Sequence, residues 1–201
     1  MKPLELYNSL KLKYPSYEVG CICHVESTCC KKGFCSDIQH TPVLDFDAIK
    51  DHFCHGQTVS TPASVDAVCV GSLQKYFCFV ELKGWDNYIN FLDKQKNNIK
   101  ETVDGYNLNG KLYDSQNLCI RITNNQDLFA DMHIIFLLVT DINVKDNGIV
   151  AFADLVNKLG SNSTDIYSKC VSESKRTLVS EIHIDHDYVY CREFDDKLSV
   201  L

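Results

Sequence analysis

Residues 64–84 read SVDAVCVGSLQKYFCFVELKG, an apolar hairpin-like stretch that carries Asp66, Glu81 and Lys83. Strand alternation sorts these residues by face. Asp66, Val68 and Val70 share one face of the first strand. Phe77, Phe79, Glu81 and Lys83 share one face of the second. A turn centred between Leu73 and Gln74 would set Asp66 opposite Glu81, with Cβ atoms about 5 Å apart. Two carboxylates that close repel, and partial burial strengthens the repulsion. One stays protonated unless a cation neutralises the pair. Mg²⁺ or Mn²⁺ suits such a site, because hard divalent ions take carboxylate oxygens and keep several waters. Lys83 projects from the face of Glu81, where its ammonium could hold an attacking water or a phosphate oxygen. On spacing alone, the same residues also fit an exposed hairpin end with a Glu–Lys pair.

The elements around the hairpin must position it. Residues 3–13 have Leu4, Leu6, Tyr7 and Leu10 at helical spacing, with Pro3 in the first turn and Pro15 at the exit. Residues 44–54 predict a short amphipathic helix opened by Asp45. Residues 85–106 predict a long helix with Tyr88, Leu92, Ile99, Val103 and Tyr106 on one stripe, capped by Asp86. Residues 117–123 (NLCIRIT) predict a short strand, and 132–141 (MHIIFLLVTD) a fully buried one. Residues 148–160 predict a helix ended by Gly160, and 181–194 one or two edge strands. Both hairpin faces are apolar, so the hairpin should be central and covered by helices on each side. The fold class expected is α/β (α+β), a mixed sheet flanked by helices, in one domain spanning 1–201.

An Asp at a strand start, a hairpin turn, then Glu-x-Lys closing an apolar strand before an amphipathic helix resembles the PD-(D/E)xK nuclease superfamily. The carrying residues are Pro62-Ala-Ser-Val-Asp66, fourteen intervening residues, and Glu81-Leu82-Lys83. The resemblance covers roughly residues 43–140. It implies a restriction-endonuclease-like core, Mg²⁺ or Mn²⁺ held by Asp66 and Glu81, and Lys83 assisting the attacking water. The activity implied is Mg²⁺-dependent endo- or exonucleolytic hydrolysis of phosphodiester bonds, DNA ahead of RNA. Many members add an acid from a preceding helix, for which Asp45, Asp47 and Asp51 are the candidates. Two features depart from the pattern: the proline does not adjoin the aspartate, and Gln95 is followed by Ile99 where one branch of the superfamily has tyrosine. Lys94, Lys96 and Lys100 could contact phosphate or form a solvated helix face.

Residues 19–42 hold Cys21, Cys23, Cys29, Cys30 and Cys35 beside His24 and His40, with little periodicity. An irregular Cys-rich lobe ordered by structural Zn²⁺ is one reading. The spacing departs from paired C-x₂-C knuckles, and thiols packed as small hydrophobes are the other reading. Cys54, between His52 and His55, could join a metal cluster only if the fold returns that helix end to the lobe. Cys69, Cys78, Cys119, Cys170 and Cys191 lie in apolar patterns and read as core. His183, Asp185 and His186 fit a hydrated edge strand better than a metal site.

The chain has 201 residues, 45% hydrophobic and 23% charged, with a net charge of −7. That balance excludes a disordered chain and a strongly basic free-standing nucleic-acid binder. A partner protein or a homo-oligomer would then complete any nucleic-acid groove. The first nineteen residues carry charges and no apolar signal region, and the longest apolar run is too short for a bilayer. No membrane role and a cytoplasmic location are expected. The competing function is a catalytically silent protein-interaction module of the same fold with a zinc-ordered lobe. A weaker third is a thiol redox sensor.

Overall fold

The computed structural model describes residues 1–25, 41–56, 61–84, 99–141 and 163–201. The first helix, α1, runs Pro3–Lys13, with Pro3 in its first turn and Leu6, Tyr7 and Leu10 buried along one side. A two-residue strand, β1 (Glu18–Val19), follows, then one turn of 3₁₀ helix at Ile22–His24. Strand β2 (Val43–Asp45) leads directly into α2 (Phe46–Cys54). Asp45 caps α2 as expected, its Oδ1 accepting the Ala48 N–H at 2.9 Å.

Strands β3 (Ala67–Val70) and β4 (Phe77–Lys83) form the central hairpin. Helices α3 (Ile99–Asp104) and α4 (Leu108–Thr123) fill the crossover to β5 (Ile134–Thr140). Helix α5 (Ser163–Glu181) lies in the crossover to β6 (Asp185–Tyr190), and α6 (Phe194–Ser199) follows. The six strands form one mixed sheet in the order β1-β2-β3-β4-β5-β6. Pairing is antiparallel from β1 to β4, then parallel for β4–β5 and β5–β6. Parallel neighbours need a crossover long enough to return the chain to the same sheet end, and the helical segments supply it.

Alternation along the central strands divides the core into two layers. Val68, Phe77, Phe79, Phe136 and Leu138 meet helices α1, α2, α4 and α5 on one face. Cys69, Cys78, Val80, Leu137 and Val189 meet the Cys21–Cys23 turn and α6 on the other. The expectation of a central hairpin covered on both faces therefore holds. Cys69, Cys78, Cys119, Cys170 and Cys191 are all buried, as their apolar settings suggested.

One element differs from the sequence expectation. Residues 117–123 are the second half of α4, not a strand. Leu118, Ile120 and Ile122 alternate when read alone. Over the longer window Leu108, Leu112, Ser115, Leu118, Cys119 and Ile122 recur at helical spacing, and these six are the buried ones. Strands β1 and β2 and helices α5 and α6 were not anticipated. Most of the expected long helix (residues 85–98, with Lys94 and Lys96) and the expected helix at 148–160 lie outside the described residues. Among the described residues, no helix is long and apolar enough to cross a membrane.

The turn of the β3–β4 hairpin is held from outside. Ser72 N–H donates to Leu198 O at 2.8 Å, and Lys75 N–H to Leu201 O at 3.3 Å. A methyl group on Gly71 would stand 2.6 Å from Leu201 Cβ, with Leu201 backbone also in the way. Gly71→Ala is therefore expected to lower stability by about 1–3 kcal/mol through overpacking. The urea midpoint should fall with the slope unchanged; an unaltered midpoint would show that Leu201 yields without cost.

Candidate functional site

The hairpin register has Ala67 opposite Val80 and Val68 opposite Phe79. Continued by one residue, it sets Asp66 at the level of Glu81, the pairing expected from the turn. Asp66 Oδ2 accepts the Leu82 N–H at 2.6 Å, which fixes the carboxylate against β4. Lys83, two residues beyond Glu81 on the same strand face, brings Nζ to 2.6 Å from Glu81 Oε1. Its ammonium also lies 5.0 Å from the centre of the Tyr106 ring, a favourable cation–π distance. The three residues singled out from the sequence thus converge.

A fourth member was not singled out. Lys111 of α4 places Nζ 2.6 Å from Glu81 Oε1 and 4.0 Å from Asp66 Oδ1. A usable signal existed: Lys111 stands between Leu108 and Leu112 and one turn before Ser115, on the buried stripe of α4. A lysine on an apolar stripe calls for a carboxylate across the interface. Reading residues 117–123 as a strand removed the helix that makes this stripe visible. The same turn of α4 grips the segment leading into Asp66. Asp114 Oδ2 accepts the Ala63 N–H at 3.0 Å, and Ser115 Oγ accepts the Val65 N–H at 3.0 Å.

Glu81 is 0% exposed and Asp66 is 6% exposed. The side chains of Lys83 and Lys111, 20% and 23% exposed, form the solvent side of the cluster. Both ammonium groups approach Oε1 of Glu81. Its Oε2 is buried and has no hydrogen-bond partner among the described residues, an arrangement that costs free energy unless something else meets that oxygen. Burial pushes the Asp66 carboxyl up from 3.8 to about 6. The negative charge of Glu81 adds to the rise, and Lys111, Lys83 and the Leu82 N–H offset part of it.

The donors fit a hard divalent cation in type: two carboxylates from adjacent strands, one with an unpartnered oxygen. Among the described residues, two ammonium groups, those of Lys83 and Lys111, already stand against these two carboxylates. Of the candidate additional acids, Asp47 accepts from Lys50 at 2.6 Å and from Ser64 Oγ. Burial would raise its carboxyl, but those hydrogen bonds and the charges of Lys50 and Lys111 hold it below its ordinary value. Asp51 pairs with Lys50 at 3.2 Å and its side chain is 67% exposed. Asp45 is occupied as the cap of α2. Among the described residues, no group of three or more His, Cys, Asp or Glu gathers closely enough to hold a metal.

Of the candidate zinc ligands, Cys21 and Cys23 are buried in the second apolar layer. The Cys23 N–H donates to the Cys21 sulfur at 3.4 Å. Cys29, Cys30, Cys35 and His40 lie outside the described residues. His186 Nδ1 meets Ile184 O at 2.9 Å on the edge strand β6, in keeping with the edge-strand reading.

The folded chain holds the Asp66 proton that the unfolded chain releases near pH 3.8. This contribution to stability is full below that pH and is lost as the pH rises through about 6. Asp66→Asn, which cannot ionise, should gain on the parent protein by about 2 kcal/mol between pH 4.5 and 7.5. Paired urea titrations across that range measure the difference; a gap that stays flat or moves the other way would refute the raised carboxyl.

Scanned against family models, curated proteins and solved structures, the chain matches none.

Proposed function

We propose that the chain is a metal-dependent nuclease hydrolysing phosphodiester bonds, DNA ahead of RNA, on a restriction-endonuclease-like core of the PD-(D/E)xK kind. The observation that carries this reading is the meeting of Asp66, Glu81 and Lys83 at one end of the β3–β4 pair, with a buried Glu81 oxygen that has no hydrogen-bond partner among the described residues. The core topology adds support: antiparallel β2–β3–β4, then a helical crossover to parallel β5. Asp66 and Glu81 would hold Mg²⁺ or Mn²⁺. When bound, the ion would polarise the scissile phosphate and make water a stronger nucleophile.

The remaining roles belong to the chain itself. Lys83, steered by Glu81 and the Tyr106 ring, offers a fixed positive charge to a phosphate oxygen as negative charge develops there. The Leu82 N–H keeps Asp66 oriented. Helix α4 holds the segment that leads into Asp66, so the two carboxylates keep their spacing without help from substrate. With a net charge of −7, a protein partner or a second copy would complete the groove for a polyanion. A cytoplasmic location belongs to the same reading.

One observation favours a second reading. Lys83 and Lys111 both contact Glu81, as expected of a structural ion network in a catalytically silent interaction module. That module would carry a Cys-rich lobe ordered by Zn²⁺ through Cys21, Cys23, Cys29, Cys30 or Cys35.

Cleavage assays on single- and double-stranded DNA and RNA, with Mg²⁺ and Mn²⁺, separate the two. The nuclease reading expects cleavage that chelation abolishes and that Glu81→Gln or Lys83→Met lowers by roughly 10²–10³-fold. No cleavage by the folded parent protein on any substrate, together with about one zinc per chain, would establish the silent module instead.

A further inference from the structure

Lys111 has a place in the cluster that differs from that of Lys83. Lys83 belongs to the strand of Glu81 and shares its face by strand parity. Lys111 arrives from α4 and reaches across both carboxylates, 2.6 Å from Glu81 Oε1 and 4.0 Å from Asp66 Oδ1. A single positive charge in contact with one carboxylate and near the other occupies the position of a bridging cation. We propose that the Lys111 ammonium is a tethered occupant of the divalent-cation site, an intramolecular competitor with an ion for the space between Asp66 and Glu81. The inference rests on the metal-dependent reading above.

Distance and charge set the two occupants in competition for the space between the carboxylates: Lys83 lies equally close to Glu81 Oε1, and Lys111 in addition reaches to 4.0 Å from Asp66 Oδ1. An ion at the ~2.1 Å that Mg²⁺ requires from Glu81 Oε1 would lie at most about 5 Å from the ammonium in its observed position. At that range, beside a fully buried carboxylate, like charges repel strongly because little water screens them. The lysine can yield where the backbone cannot. Its four-carbon stem is partly exposed, which gives the ammonium a path to water. Helix α4 is meanwhile held by Asp114 and Ser115 on the segment before Asp66. Displacement is therefore a side-chain motion that leaves α4 docked.

The test needs no nucleic acid. Mn²⁺ binding is measured by calorimetry, and by paramagnetic resonance of the free ion, on the parent protein, on Lys111→Gln and on Lys111→Gln/Glu81→Gln. Removing the competitor should tighten Mn²⁺ binding by about 10-fold or more, and the double variant should lose it. In the parent protein, Mn²⁺ should raise the reactivity of Lys111 toward reductive methylation, read by mass spectrometry; this arm decides if Lys111→Gln does not fold. Equal Mn²⁺ affinity in parent and Lys111→Gln, with Lys111 labelling unchanged by the ion, would overturn the competitor while leaving the metal site standing. No Mn²⁺ binding in either protein would overturn both.

Discussion

The structure turns on a carboxylate, that of Glu81, sealed inside the sheet–helix interface. An ionised carboxylate in such a place is tolerated only when cations meet it. Two lysines do so from different directions, one along its own strand and one from the helix above. This need links elements far apart in sequence. It pins α4 over β4, draws the segment leading into β3 to the same turn of α4, and fixes where the second carboxylate sits. The apolar layers would allow several helix placements; the buried charge selects among them.

Among the described residues, the two faces of the sheet are covered by different elements. Four helices cover the side of Val68, Phe79 and Phe136. The other side is closed by a 3₁₀ turn, a short helix and Leu201. Cys21 and Cys23 belong to this cover and lie buried in the layer of Cys69, Cys78 and Cys191. Whatever residues 26–40 contribute, two of the five clustered cysteines already have a packing role.

How much of this was legible in the sequence depended on the range of the signal. The hairpin register could be read because alternation and the turn position are local and mutually consistent. Helices α1 and α2 could be read from spacing and caps. Strand β5 could be read because a continuous apolar run suits a strand buried on both faces. Helix α4 could not be read in full, because its C-terminal half satisfies both periods when seen through a seven-residue window. Strands β1 and β2, two and three residues long, carry no periodicity of their own and exist only through pairing. Asp66, Glu81 and Lys83 followed from strand parity. Lys111 needed the helix first, since only tertiary docking brings position 111 to position 81.

The face shared by Phe77, Phe79, Glu81 and Lys83 has a consequence for how such a chain can vary. Core side chains and ionic groups occupy the same odd-numbered positions of one strand. Losing or gaining a single residue between Phe79 and Glu81 would break this parity, so that the phenylalanines and the carboxylate could no longer face the helices together. Change here can come by exchanging one residue type for another or by altering the loops beyond the strand. Within the strand itself, length is as strictly constrained by geometry as the charged groups are by chemistry.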